Sequence, residues 1–280
     1  MATPWDRAAA GYLEEWVPRF VPYHLDLVRE LALHGGQRAL VVSAGPGSEV
    51  LAVARTVGDA GVIRATDKSA EMVRICAEQV EKAGFKTSIA CAVADATDVT
   101  GGPYDAIACA FGLWQLPDRG AALRAWRDAL APQGKLGIIT WGPSEKGQPF
   151  DQIQQCLLAH EPAHGVPNPY VDAERDLMAQ MFEDAGLSMV RHTVVRHTLV
   201  FRSAEAFVKA LCEGCTWKRV SEELGSLRMD RVATSFYDLV GGPNVPISFQ
   251  PPATLAIAAR PGAEVVLHHR PSVRAPDVKT

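Results

Sequence analysis

Three short stretches place chemistry-bearing residues in order along the chain. They are a Gly45-Pro46-Gly47 bend in LVVSAGPGSEV (40–50), Asp67 in RATDKSAEM (64–72) and Asp95 in VADATDV (93–99). Each ends an apolar, strand-like run. In open α/β sheets, ligands bind outside the carboxyl ends of the strands, and a small-residue bend there lets a ligand approach the backbone closely. Asp67 lies twenty residues beyond Gly47, where a ribose-binding carboxylate belongs.

Three ligand classes compete for the bend. A nucleoside triphosphate needs GxxxxGK[ST], because a lysine and a hydroxyl must meet phosphate and magnesium. Here Gly47 is followed by Ser48 and Glu49, and the first lysine is Lys68. A dinucleotide is poorly served: GxGxxG uses its third glycine for close helix–strand packing, and Val50 occupies that place. Pro46 also removes a backbone donor from the loop. A nucleoside without phosphate fits better. S-adenosylmethionine needs close backbone approach, an acid for the ribose hydroxyls and a partner for the adenine amine, which Gly45 and Gly47, Asp67 and Asp95 supply in turn. An aspartate after a strand is also a common turn or capping residue, so the reading rests on the two acids appearing together behind the bend.

The elements that must position these residues alternate. Strands are expected at ALVVS (39–43), VIRAT (62–66), TSIACAVAD (87–95), YDAIACAF (104–111), KLGIITW (135–141), MVRHTVVRHTLVF (189–201) and ATLAIAARPG (253–262). Helical spacing marks 48–57, with Ser48 as N-cap, 69–84 with Gly84 as its stop, 118–132, and 172–187 between Asp172 and Gly186. Near-continuous apolar runs are those of strands buried on both faces. The reading is a doubly wound α/β fold with a seven-stranded, mostly parallel sheet. It forms a single domain over 1–270, with N-terminal helices, cap inserts at about 143–171 and 203–248, and a flexible tail at 271–280.

Composition bounds the partners. The 280 residues are 48% apolar and 21% charged, with a net charge of −4, which gives no electrostatic case for nucleic acid or an anionic membrane. No charge-poor apolar run approaches the roughly 18 residues of a membrane span, and the N-terminus lacks a signal-peptide layout. The expectation is a cytoplasmic monomer or homodimer. Six scattered cysteines read as reduced apolar residues, and the CxxC of Cys212 and Cys215 has no partners to complete a zinc site.

On these residues the chain resembles the class I S-adenosylmethionine-dependent methyltransferases. VVSAGPGS, RATDKSAEMV, AVADATDV and YDAIACAFGLWQLPD carry the likeness, and LRAWRDALAPQGKLGIITW is its most specific part. FGLWQLPD is similar to the ubiquinone/menaquinone methyltransferase-like branch, which acts on small molecules. The resemblance implies S-adenosyl-L-methionine as cofactor, held by Ser43, Gly45, Gly47, Asp67, Lys68, Met72, Asp95, Ala96 and Phe111, with Tyr12 from an N-terminal segment folded over it. One position departs from the family's D-x-G-x-G-x-G pattern: Val41 stands for the acid and Ser43 for the first glycine. The job of that acid then either moves to Ser43, is lost, or marks a relative that does not transfer methyl.

Methyl transfer is an in-line displacement dominated by alignment, and an oxygen or carbon nucleophile can also need a base, most often histidine. The candidates are His24, His160 and His164. HEPAH (160–164) also matches HExxH, but Pro162 breaks the helix that a zinc site of that type requires, so no metal is expected. Trp114, Tyr170 and Trp217 are candidate substrate contacts. The expected activity is methyl transfer to a small, apolar or aromatic metabolite, O-methylation first and C-methylation next. The alternatives are a cofactor-binding protein that rearranges or only binds, and a NAD-linked oxidoreductase.

Overall fold

The computed structural model describes residues 3–164 and 174–265. The chain opens with two helices, α1 (Pro4–Glu15) and α2 (Val17–Leu31). Thr3 and Asp6 form a reciprocal capping box at the start of α1 and Pro4 occupies its first turn, which satisfies amide donors that would otherwise be orphaned. Strands and helices then alternate as β1 (Arg38–Val42), α3 (Ser48–Val57), β2 (Val62–Asp67), α4 (Ala70–Ala83), β3 (Ser88–Val93), β4 (Tyr104–Ala110), α5 (Arg119–Ala129) and β5 (Leu130–Trp141). Gly47, in the left-handed region, is the N-cap of α3, so Ser48 is its first helical residue and not the expected cap. Ser69 caps α4 by accepting the Met72 amide, and Gly84 ends it at φ 65°.

The second half holds α6 (Pro149–His160), α7 (Arg175–Asp184), β6 (Ser188–Arg196), β7 (Leu199–Phe201), α8 (Ala204–Glu213), α9 (Cys215–Leu224), α10 (Ser226–Val240), β8 (Ile247–Phe249) and β9 (Pro252–Ala259). The expected cap at Asp172 lies outside the described residues. The sheet has seven strands in the order β3-β2-β1-β4-β5-β9-β6. β9 alone runs antiparallel, between β5 and β6. Both faces are covered: Val41, Ile63 and Ile139 pack with α2 and α3, while Leu40, Ile107 and Ile138 pack with α5 and α7. This is why the strands read as unbroken apolar runs.

One expectation needs correcting. The run 189–201 is two strands, not one. The chain leaves the sheet at His197, where three contacts hold it. The Tyr23 hydroxyl accepts the His197 amide at 3.1 Å and donates to the Pro251 carbonyl at 2.8 Å, and His197 Nε2 meets Asp26 at 2.8 Å. Beyond that point β7 pairs with β8 in a separate two-stranded sheet. Together with α8, α9 and α10 these strands lie between β6 and β9 in the chain. No helix among the described residues is long and apolar enough to cross a membrane.

Candidate functional site

The strand order reverses between β1 and β4, and a crevice of about 190 Å³ opens there. Its lining includes Ser43, Gly45, Asp67, Lys68, Met72, Asp95, Ala96, Phe111 and Tyr12. These are all the expected cofactor residues but Gly47. That glycine faces inward: a Cβ built on it would lie 2.7 Å from Cys76 Sγ, so its small size serves the packing of the bend on α4.

Backbone conformations outside the common regions gather at the two strand tips that flank the reversal. Ser43 (φ 52°) and Phe111 (φ 54°) are non-glycine residues in the left-handed region, beside Gly45 at φ 50° and Gly47 at φ 96°. Such conformations cost free energy and persist where the surroundings over-determine them, commonly at ligand sites.

Asp67 is tied to the bend. Its carboxylate accepts the Gly45 amide and the Ser69 amide, each at 2.9 Å. Burial raises its pKa, opposed by the backbone donors of Ser69, Gly45 and Lys68. The Gly45 amide is thus already committed to an anion, which disfavours a phosphate at the same bend. Asp95 lies at the rim. It accepts the Thr97 amide (3.1 Å) and hydroxyl (2.9 Å), and pairs with Lys68 Nζ at 3.1 Å. These Thr97 and Lys68 contacts hold its carboxyl below the usual range. Two carboxylates and one lysine in a crevice walled by Met72, Ala96, Leu116 and Phe111 suit a nucleoside with hydroxyl and amine donors.

Helix α1 closes the crevice from above. Asp6 docks it on the start of α4 by accepting the Ser69 hydroxyl (2.5 Å) and the Glu71 amide (3.2 Å), and these bonds, with those from Thr3, hold its carboxyl well below the ordinary range. Tyr12 and Trp5 of α1 both face the crevice. Trp5 was not among the expected site residues, nor were Gln115, Leu116 and Pro117, which complete the lining beyond β4. The last three stand in FGLWQLPD, the same stretch that supplied Trp114 as a candidate substrate contact. A 3₁₀ turn over Leu113–Gln115 rotates the chain, so Gln115 lines the crevice and Trp114 does not.

The three histidines stand apart from the lining. His24, on α2, is buried, with Nδ1 2.7 Å from Ser48 Oγ and 3.7 Å from Glu49. Burial lowers its pKa to about 3 and raises that of Glu49 to about 8. His160 ends α6 and bonds Ser235 at 2.8 Å, and His164 lies beyond Pro162, 4.0 Å from Glu161. Trp217 packs partly buried against the main core, and Tyr170 lies outside the described residues. Behind Phe111 a chain of rings packs into the core. Phe111 lies 4.4 Å from Trp141 and 5.2 Å from Phe20, and Trp141 in turn lies 6.1 Å from Phe150.

Residues 39–134 match the family model described as a methyltransferase domain. The chain is 25% identical over 177 residues to the ubiquinone/menaquinone biosynthesis C-methyltransferase of Ralstonia pickettii, spanning 59% of this chain and 73% of that protein. A SAM-dependent methyltransferase from Aquifex aeolicus superposes with a TM-score of 0.53 at 20% identity, over 66% of this chain and 91% of its own. The [4+2]-cyclase SpnF does so with a TM-score of 0.58 at 18% identity, over 88% of this chain and 84% of its own. At these identities the structural likeness shows the fold alone. Taken with the methyltransferase domain matched over residues 39–134 and the sequence relatives, it supports a class I methyltransferase with S-adenosyl-L-methionine as its cofactor.

Proposed function

We propose that the crevice between β1 and β4 holds the cofactor under α1 and that the enzyme methylates a carbon of a small, apolar or aromatic acceptor. Bound there, S-adenosylmethionine supplies a methyl group on a sulfonium leaving group. Asp67 accepts the ribose hydroxyls, Asp95 faces the adenine amine at the rim, and Met72, Ala96 and Leu116 flank the purine. Ser43, Gly45 and Phe111 border the methionine end, and Phe111 separates it from the aromatic rings of Trp141 and Phe20.

The observation that carries the acceptor class is Phe111, which lines the crevice with its ring backed by those of Trp141 and Phe20. An acceptor that stacks on this ring beside the methyl is desolvated against an aromatic surface, which favours a planar apolar molecule. Carbon transfer is preferred over the oxygen transfer expected from sequence because none of the three candidate histidines lines the crevice. A ring carbon activated by a neighbouring hydroxyl sheds its proton after the C–C bond forms, so it depends less on a positioned base at the moment of attack than a neutral hydroxyl oxygen does. The C-methyltransferase names of the sequence relatives support the same order. We place the enzyme in the cytoplasm as a monomer or homodimer, on its composition.

The test is incubation with methyl-labelled S-adenosylmethionine and paired acceptors, phenols with a free ortho carbon and phenols with that carbon blocked. NMR of the product then locates the methyl group. Label on carbon, with the blocked phenols inert, supports the reading. Label on oxygen in both sets would overturn it, and His24, His160 and His164 would then be re-examined by substitution.

A further inference from the structure

We infer that Cys76 and Cys91 are an oxidation site, closing to a reversible disulfide when a hydroperoxide reaches them and thereby loosening the cofactor bend. The effect on the cofactor rests on the site proposed above; the disulfide itself does not.

The two thiols lie on packed elements, Cys76 on α4 and Cys91 on β3, with their sulfurs 3.6 Å apart. A disulfide requires about 2 Å, so the sulfurs need close by only about 1.5 Å. The two sites differ in access. Cys91 is half-buried on β3, the edge strand of the sheet, within reach of a small oxidant. Cys76 is buried against the bend. Their acidities differ in the same sense: the hydrogen bond from Cys76 lowers the Cys91 thiol to about 7, while that bond and burial raise Cys76. Thiolate character and exposure together select the attacking sulfur, so Cys91 attacks and Cys76 resolves.

The chemistry closes without a metal or a further cofactor. The Cys91 thiolate attacks one oxygen of the hydroperoxide; a sulfur–oxygen bond forms, the O–O bond breaks and hydroxide (or alkoxide) leaves, to be protonated. Cys76 then attacks the Cys91 sulfenic sulfur; the S–S bond forms, the S–O bond breaks, and the departing hydroxide leaves as water with the Cys76 proton. Two thiols lose two electrons and the peroxide gains them.

The link to the cofactor runs through Gly47. A Cβ there would lie 2.7 Å from Cys76 Sγ and 3.3 Å from Cys76 Cα, so the Cys76 side chain is the support under the last residue of the bend. Drawing that sulfur toward β3 removes the support. It also strains α4, whose cap Ser69 bonds both Asp67 and Asp6 and whose Met72 lines the crevice.

The experiment treats the reduced full chain with hydrogen peroxide and follows it by intact mass, peptide mapping and calorimetry with S-adenosylhomocysteine. The expected results are a loss of about 2 Da for two thiol hydrogens, a linked Cys76–Cys91 peptide, and affinity roughly tenfold weaker, since ångström-scale misplacement costs this much or more. Dithiothreitol should restore it. Cys91→Ser, or Cys91→Ala if the serine variant folds poorly, should bind like the reduced protein and ignore peroxide. Absence of the linked peptide overturns the oxidation site. A linked peptide with unchanged affinity, or an equal loss in the Cys91 variants, overturns the coupling to the bend. Failure of the reduced protein to bind S-adenosylhomocysteine overturns the cofactor site and the coupling together, while peptide mapping decides the disulfide separately.

Discussion

Ser43 and Gly112 occupy one space: a Cβ added to Gly112 would lie 2.5 Å from Ser43 Cβ and 2.7 Å from its hydroxyl. Ser43 stands where the family pattern has glycine and adopts φ 52°, a conformation costing a side-chain-bearing residue roughly 1–2 kcal/mol. Its side chain fits only because the residue after Phe111 has none. Gly112→Ala should therefore destabilise the protein by about 1–3 kcal/mol through overpacking. The same change in a Ser43→Gly background should cost less, leaving a coupling energy of about 1 kcal/mol or more. Urea unfolding of the four proteins measures this. Additive losses would mean that the tips of β1 and β4 are not matched as described.

Asp67 should dominate cofactor affinity. A hydrogen bond to a charged group contributes about 1.5–3 kcal/mol, so Asp67→Asn should weaken S-adenosylhomocysteine binding by roughly ten- to a hundredfold. Asp95→Ala should cost less, because its carboxylate is half exposed and shared with Thr97 and Lys68. Burial raises the Asp67 pKa, and the ribose hydroxyls need the ionised form as acceptor. Affinity should then fall on acidification starting above the usual carboxylate range. Calorimetry across pH on the wild type and Asp67→Asn checks this, and an equal acid-side loss in the variant would place the titration elsewhere.

The sequence disclosed the bend and both acids because each closes a buried strand, and burial on two faces leaves an unbroken apolar run that ends sharply. Met72, Ala96 and Phe111 came instead from the family resemblance, and all three line the crevice. Sequence reading failed where geometry depends on distant partners. Gly47 has the signature of a ligand-contacting glycine, yet its neighbour is Cys76, twenty-nine residues further along the chain in a different element. Trp114 lost its place to Gln115 through a three-residue 3₁₀ turn that no hydrophobic periodicity marks. His24 reads as an available base, and only the fold shows it sealed behind Ser48 and Glu49. The break between β6 and β7 was hidden because Tyr23 and Asp26, which impose it, lie on α2.

That sealed cluster should set the pH range of stability. Burial lowers His24 to about 3 and raises Glu49 to about 8. The folded pair therefore keeps one proton between those values, whichever partner holds it. Unfolded, the ordinary values of 6.5 for histidine and 4.5 for glutamate leave one proton only between pH 4.5 and 6.5. Below 4.5 the unfolded pair binds more protons, so stability falls as pH falls; above 6.5 it binds fewer, so stability falls as pH rises. At about 1.4 kcal/mol per unit, the pair should cost on the order of 2 kcal/mol between pH 6.5 and 8. Glu49→Gln removes the alkaline arm, since its amide has no proton to lose. Melting temperatures at constant ionic strength should decline from pH 6.5 to 8 in the wild type and stay flat in the variant. Parallel curves would show that Glu49 ionises normally in the folded protein.

Access to the crevice should be governed by Trp5 and Gln115. Trp5 Nε1 donates to Gln115 Oε1 at 2.7 Å, and Gln115 Nε2 donates to the Phe111 carbonyl at 3.2 Å. This links the first turn of α1 to the tip of β4 across the crevice mouth. At the other side Asp6 fixes α1 to α4. The helix is thus held on both rims, strongly by a charged group and weakly by an exposed neutral bond. A neutral hydrogen bond contributes about 0.5–1.5 kcal/mol net. Breaking the weak one should favour an open α1 without removing any polar contact we assign to the cofactor. Trp5→Phe keeps the ring packed on Tyr12, 5.3 Å away, but cannot donate. It should raise association and dissociation rates of S-adenosylhomocysteine together, by roughly two- to tenfold, with a far smaller change in Kd. Asp6→Asn should instead weaken Kd, because it loosens Ser69 and through it Asp67. Stopped-flow traces give the rates and calorimetry the affinities. If Trp5→Phe weakens Kd as strongly as Asp6→Asn, through faster dissociation at an unchanged association rate, the tryptophan is a binding contact and not the latch.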